Sequence, residues 1–336
     1  MVDLTLAPTT IATSRLGFGC VKLTAHRNRR EAVSMLEHVF SLGIKHFDVA
    51  RAYGFGRAEA ILGEFLKDKR HQVTVTTKLG LQPPSGLAAN RWLIEGLKKV
   101  LSPFPALLQR AKKRGSALTS SGVFAPEAAV RSIELSLREL GTDYVDILLL
   151  HEATLSDAAN SALLETLWRQ VALGKVRALG IGSDFDNLHP GINSLPAEYQ
   201  VLQFENNAFR RNTFKISDTK PRAFITHSIF QPADSLGALI KLLPAVTRQF
   251  SSRLDADLSD PEVLRSWLLK CALSTNPRGI VLFASTNPQH AANNIRACNA
   301  GSAESEGCSI FSNFVDEVLR LAGDPFTAGV QRGLAS

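Results

Sequence analysis

Eight short apolar runs, all but the one before 205–222 followed by residues of helical periodicity, constrain this chain more than any other feature. The runs are Leu16–Cys20, His46–Val49, Val73–Lys78, Val145–Leu150, Ala178–Gly182, Val201–Phe204, Ala223–Thr226 and Ile280–Phe283. Between and after them lie helical patterns at Arg30–Leu42, Ala58–Leu66, Pro126–Leu140, Leu163–Leu173, a short one near 187–194, Pro261–Leu273 and Pro288–Ala300. Strands alternating with helices predict βα units and a parallel sheet. Ile147-Leu148-Leu149-Leu150 shows no polar alternation, as expected of a strand buried on both faces. Eight units favour a closed (β/α)8 TIM barrel over an open doubly wound sheet, and 336 residues suit one such domain.

The punctuation agrees with those divisions. Pro126 opens a run carrying Val130, Ile133, Leu137 and Leu140, and Gly141 follows it, the expected order of Pro at a helix start and Gly past its end. Pro261 after Asp260 and Pro288 after Asn287 mark two more helix starts. Two stretches exceed ordinary connections: an insertion at 82–124 after the third strand and a long loop at 228–260 after the seventh. In a barrel both open onto the C-terminal face, where sites are built. Residues 301–336 are read as a C-terminal tail or helix.

Net charge is +7, and seven basic residues against one acid fall between Arg91 and Arg114, inside the insertion. The rest is close to neutral, which argues against a nucleic-acid-binding surface. The insertion reads as a solvated excursion, a lid over a substrate of negative charge, or a contact for protein or anionic membrane. No apolar run reaches the ~18 residues of a membrane span. Met1 to Pro8 carries an Asp and no basic segment, so no secretory leader is expected. Cys20, Cys271, Cys298 and Cys308 show no paired spacing and read as reduced thiols of a cytoplasmic protein. There is no Cys/His metal spacing, no Walker loop and no G-x-S-x-G; oligomeric state is not readable.

Four polar residues stand out by position. Asp48, Lys78 and His151 end or directly follow the second, third and fourth strands, and Tyr53 lies five residues beyond Asp48. Singly, these are a turn residue, a snorkelling lysine and a satisfied core histidine. Together on one barrel face they support specific chemistry. A phenol titrates near 10, and a buried ammonium beside it favours phenolate, so Lys78 is expected to lower the pKa of Tyr53. Asp48 would keep Lys78 charged, and His151 would orient a carbonyl oxygen. Such a set delivers a proton to a C=O oxygen while hydride reaches the carbon. No side chain supplies hydride, so a nicotinamide is required.

The segments FDVARAYGFGRAE, VTVTTK, GTDYVDILLLHE and VLFASTNPQHAANNI resemble the aldo-keto reductase superfamily over most of residues 11–300. The resemblance implies a (β/α)8 barrel, NADP(H) or NAD(H) bound without a Rossmann fold, and Tyr53 as general acid/base. The substrate it implies is a small carbonyl compound, alcohol or sugar. Gln203 matches the family's carboxamide-binding Gln, with an amide offering donor and acceptor. Gly182-Ser183 stands where the family has Ser-Asn, so Ser183 replaces one contact. His227 falls where an aromatic usually stacks on nicotinamide, and Ser228-Ile229-Phe230 replaces Ser-Pro-Leu. Ser285, Thr286, His290 and Asn294 lie on the loop and helix start implied for the adenosine end. Ala284 and His290 stand where strong binders of a 2′-phosphate carry Lys or Arg, which leaves NADP against NAD open. Gly54-Phe55-Gly56-Arg57-Ala58-Glu59 falls short of the dinucleotide fingerprint, because Glu59 stands where its third Gly belongs. The alternative to an enzyme is a nicotinamide-binding regulatory or scaffold barrel with little turnover.

Overall fold

The computed structural model describes residues 3–81, 124–217, 219–299 and 305–322; the expectations for 82–123 lie outside these residues. The chain opens with a hairpin, β1 (Asp3–Thr5) and β2 (Ala12–Ser14). Eight parallel strands follow: β3 (Leu16–Gly19), β4 (His46–Asp48), β5 (Thr74–Leu79), β6 (Val145–His151), β7 (Val176–Gly182), β8 (Tyr199–Glu205), β9 (Ala223–His227) and β10 (Ile280–Phe283). They pair in sequence order, and β10 returns to β3, closing the barrel. All eight expected runs are strands of this ring; four are longer than expected by one to three residues, two are one residue shorter, and two have the expected length.

Side chains alternate across each strand, so every second residue points into the barrel. Ile147, Leu149, Ala178, Val201, Ala223, Ile225, Ile280 and Leu282 form one buried interior cluster, and Leu6 and Ile11 of the hairpin loop join it. The hairpin thus plugs the N-terminal end. Thr13 bonds Thr74 there at 2.6 Å, and the buried His46 ring is held by Thr74 at 3.0 Å and Thr76 at 3.3 Å. The strands approach closely where glycine permits it. A Cβ on Gly180 would lie 2.3 Å from the Val201 carbonyl oxygen.

The outward residues pack against α1 (Arg29–Ser41), α2 (Arg57–Leu66), α3 (Pro126–Leu140) and α4 (Ser161–Ala172), then, past α5 (Ala233–Leu242) and α6 (Pro244–Leu254), which belong to a separate cluster, against α7 (Pro261–Thr275) and α8 (Pro288–Asn299). α3 has Pro126 in its first turn and Gly141 left-handed at φ 62° beyond its end. Asp260 caps α7, accepting from the Glu262 and Val263 amides.

One expectation needs correcting. The stretch at 228–260 is no long loop, since α5 and α6 occupy most of it. With α7 and the C-terminal helix α9 (Ser305–Ala322) they build a second apolar cluster around Leu236, Ile240, Phe250, Phe311, Phe314 and Val318. Phe311, Phe314, Val315 and Val318 are fully buried and recur at helical spacing, so one stripe of α9 seals this cluster. The four cysteines are buried free thiols. Cys271 of α7 and Cys308 of α9 nevertheless meet in this cluster, a proximity set by packing rather than by sequence spacing. Among the described residues no helix is long and apolar enough to cross a membrane, and no cluster of potential metal ligands occurs.

Candidate active site

The inward alternation carries a consequence at the C-terminal ends of the strands. Reading up each strand, the inward residues change to Asp48 after His46, Lys78 after Thr76, His151 after Leu149, Gln203 after Val201 and His227 after Ile225. All five line a cavity of about 570 Å3 at the barrel mouth, together with Tyr53. Tyr53 reaches it from the turn after β4. The Tyr53 amide donates to the Ala50 carbonyl at 3.0 Å, and Gly54, at φ 57°, packs so closely on Thr24 that a Cβ would lie 2.2 Å from its methyl.

The charges are tightly bound. Lys78 Nζ donates to Asp48 Oδ1 at 2.6 Å, to the Val49 carbonyl at 3.2 Å and to Tyr53 Oη at 3.4 Å. Lys78 is 2% exposed and Asp48 3%. Burial alone would lower the Lys78 pKa, but the Asp48 carboxylate and then the Tyr53 hydroxyl raise it above its ordinary 10.5. An ammonium is therefore fixed beside the phenol.

Its effect on the phenol is opposed by burial. Burial pushes the Tyr53 pKa up, Lys78 pulls it down, and Asp48 adds to the rise; the result lies above 10. Lys78 lowers the Tyr53 pKa as expected, but desolvation of the phenolate outweighs the ammonium. Tyr53 is a protonated donor at neutral pH.

His151 stands edge-on to Tyr53, ring centroids 6.2 Å apart. Burial, Lys78 and His227 hold its pKa down to about 3 despite Asp48, so the ring is neutral. Its Nδ1 is buried and has no hydrogen-bond partner among the described residues. His227 is likewise depressed to about 4, mainly by burial, and its Nδ1 pairs with Ser228 Oγ at 2.9 Å. Ser228 sits at φ 62°, a left-handed backbone for a residue with a side chain.

Gln203 Nε2 donates to Asp48 Oδ2 at 2.7 Å. The carboxylate takes one of the two N–H groups of its amide, which leaves Oε1 as acceptor and the second N–H as donor for a ligand. Gly182 makes room beside it, since a Cβ there would come within 3.2 Å of Oε1. Ser183 Oγ donates to Glu152 Oε2 at 3.0 Å. Glu152 lies in the left-handed region, φ 53°, and lines the cavity, as do Lys22, Asp184, Asp234 and Arg265. Sequence reasoning passed over these five. Glu152 alone carried a signal, following His151 at a strand end.

Ser285, Thr286, His290 and Asn294 lie beyond the cavity lining, which ends on this side at Ala284. Ser285 Oγ bonds the Asn287 backbone, and Asn287 Oδ1 accepts from the Gln289 amide at 2.9 Å and the His290 amide at 3.4 Å. The start of α8 is therefore capped by its own Asn.

A buried, acid-stabilised ammonium beside a protonated phenol can deliver and recover a proton at one atom. The neutral His151 ring, the Gln203 amide and the Gly182 gap fit a planar carboxamide-bearing ring and a carbonyl substrate in one cavity.

Comparison with known proteins gives a match to the aldo/keto reductase family over residues 15–189. The chain is 29% identical over 170 residues to the uncharacterized oxidoreductase YqkF of Bacillus subtilis, covering 51% of this chain and 45% of that one. It is 32% identical over 186 residues to a D-threo-aldose 1-dehydrogenase of Pseudomonas sp, covering 52% and 51%. The chain thus spans about half the length of the curated relatives it matches. In three dimensions it is similar to the holo form of aldo-keto reductase AKR11C1 from Bacillus halodurans, with TM-score 0.70, 18% identity and coverage of 95% and 96%.

Proposed function

This chain belongs to the aldo/keto reductase family, and from that premise we propose that it is an oxidoreductase moving hydride between NADP(H) or NAD(H) and a small carbonyl, alcohol or sugar. The observation that carries the reading is the Lys78 ammonium, bound at 2.6 Å to Asp48 and at 3.4 Å to the Tyr53 hydroxyl.

Tyr53 is the general acid in reduction and the base in oxidation. In reduction its hydroxyl gives a proton to the substrate oxygen, and Lys78 stabilises the phenolate as it forms. A raised Tyr53 pKa keeps that proton in place at neutral pH. Neutral His151, whose ring lines the cavity, donates a hydrogen bond to the same oxygen. A reduced nicotinamide, when bound, supplies the hydride. Gln203 would accept from its carboxamide through Oε1, and Ser183, His227 and Ser228, which line the same cavity, would hold the ring. Ser285, Thr286, His290 and Asn294 take the adenosine end, beyond the cavity.

The test is turnover of an activated aldehyde with NADPH and NADH, paired with fluorescence titration of each coenzyme. Tyr53→Phe abolishes nearly all turnover and leaves both binding curves in place. Turnover surviving Tyr53→Phe refutes the mechanism. Tight coenzyme binding by the unaltered protein, without turnover across a broad carbonyl panel, points instead to a regulatory barrel.

A further inference from the structure

Glu59, the residue that spoils the dinucleotide fingerprint, is a fully buried carboxylate outside the cavity. It projects from α2 toward three elements. Thr77 Oγ1 donates to its Oε1 at 2.6 Å, Arg51 Nη1 donates to its Oε2 at 3.3 Å, and the Ser136 hydroxyl of α3 lies near enough to lower its pKa. A buried carboxylate is a costly way to join a helix to a strand, and Ile61 and Leu62 make apolar contacts on the same helix.

Its partners explain the choice. Thr77 immediately precedes Lys78; alternation turns Thr77 outward to Glu59 and Lys78 inward to the cavity. Arg51 lies two residues before Tyr53, in the turn that carries the phenol. One carboxylate therefore ties the strand bearing the ammonium to the turn bearing the phenol. The other ties both involve Val49, at the start of that turn: its amide to the Thr76 carbonyl at 2.8 Å and its carbonyl to Lys78 Nζ at 3.2 Å. The Tyr53–Lys78 contact, 3.4 Å, is at the outer limit of a hydrogen bond, so a small shift of the turn breaks it.

We propose that Glu59 is a positioning residue, which sets the distance between Tyr53 Oη and Lys78 Nζ by clamping Arg51 to Thr77. Its kinetic consequence rests on the oxidoreductase reading above; its effect on the phenol does not.

The experiment follows Tyr53 ionisation by ultraviolet difference spectroscopy in alkaline titration. The chain has three tyrosines, so subtracting the Tyr53→Phe titration isolates this one. The groups facing the phenol are Lys78, Asp48, His151 and Cys20, and Arg51 and Glu139 face Glu59; none of these is altered in Glu59→Gln. In Glu59→Gln the phenol titrates at higher pH than in the unaltered protein, because the ammonium no longer stands beside the phenolate. With an aldehyde and coenzyme, kcat falls about 10²-fold, the scale of a misplaced reacting group, while coenzyme KM holds. Glu59→Asp recovers part of both effects. Thr77→Val and Arg51→Met each sever one arm of the clamp, shift the titration the same way and together do no more than Glu59→Gln, since they act through one carboxylate. These two carry the test if Glu59→Gln does not fold. A Tyr53 titration unmoved in the folded variants overturns the proposal, even if their melting temperatures drop. A shifted titration in a protein without turnover upholds the clamp and removes the oxidoreductase reading alone.

Discussion

Gln203 donates to Asp48 across the barrel mouth, 2.7 Å from Nε2 to Oδ2, while the other oxygen of that carboxylate takes the Lys78 ammonium. β4 and β8 are not neighbours in the ring, so this contact spans the lumen. An ionised carboxylate only accepts, which fixes the Gln203 amide with its nitrogen toward Asp48 and its oxygen toward Gly182. One group thereby orders the proton-handling Lys78 and the side chain proposed to receive the carboxamide.

Asp48→Asn tests that coupling through stability. It leaves Lys78 buried without its counter-charge, a change that costs about 3–5 kcal/mol in comparable buried pairs. Without Asp48, burial holds the folded Lys78 pKa below its unfolded value. The unfolded chain then binds the extra proton across that window, so stability rises with pH toward 10. In the unaltered protein the folded pKa is raised, and the same lysine loses stability as pH climbs through it. Urea midpoints between pH 7 and 10 should slope upward for Asp48→Asn. A parallel pair of curves would show that Lys78 does not depend on Asp48.

Gly182→Ala probes the other oxygen's neighbour. The added methyl lies 3.2 Å from Gln203 Oε1 and 3.3 Å from Leu149 Cδ1, both closer than comfortable contact. Gln203 must turn, and coenzyme titration should show binding weakened by about tenfold, the equivalent of one lost hydrogen bond. Melting should change little, because the cavity lies beside the clash. Unchanged coenzyme affinity would remove Gln203 Oε1 from the proposed contacts.

The pH profile of turnover follows from the raised Tyr53 pKa. Tyr53 stays protonated through neutral pH, so kcat for reduction is flat there and falls only in the alkaline range. Oxidation needs the phenolate, so its rate climbs over the same range. Lys78→Met removes the one group that lowers the Tyr53 pKa, moves both limbs to higher pH and reduces kcat by about 10²–10⁴-fold. A reduction rate already falling below pH 8 would contradict this assignment.

The barrel was legible because its strands are short, apolar and separated by amphipathic stretches with their own caps. The column of polar strand ends was legible for the same reason: a period of two places Asp48, Lys78 and His151 on the face that also holds Thr76 and Leu149. What the sequence hid depends on contact rather than period. The Gln203–Asp48 bond joins residues 155 apart, and no local pattern reports which end of an amide faces a carboxylate. Burial of Tyr53, which outweighs Lys78, follows from how the turn at Gly54 packs on Thr24. The helices at 233–254 escaped notice because Pro244 breaks their run and their apolar stripe has no strand to meet; Phe311, Phe314 and Val318 of α9 complete it from far along the chain.

His46 gives the barrel an acid limit of its own. Its ring is fully buried between Thr74 and Thr76, and burial, the largest influence, together with Lys78 lowers its pKa from 6.5 to about 4 although Asp48 and Asp146 pull it upward. Between pH 6.5 and about 4 the unfolded chain therefore takes up a proton that the folded one refuses. Stability from this histidine is complete above 6.5 and is lost as pH falls, by about 1.4 kcal/mol per unit, or about 3 kcal/mol over the window. His151 and His227, also depressed, add in the same direction. His46→Gln keeps a side chain that can bond both threonines but cannot charge. Its urea midpoint should fall at pH 7, from lost packing, and its slope between pH 7 and 4.5 should be shallower than that of the unaltered protein. Equal slopes would mean that His46 takes up its proton at the same pH folded as unfolded, and contributes nothing to the acid limit.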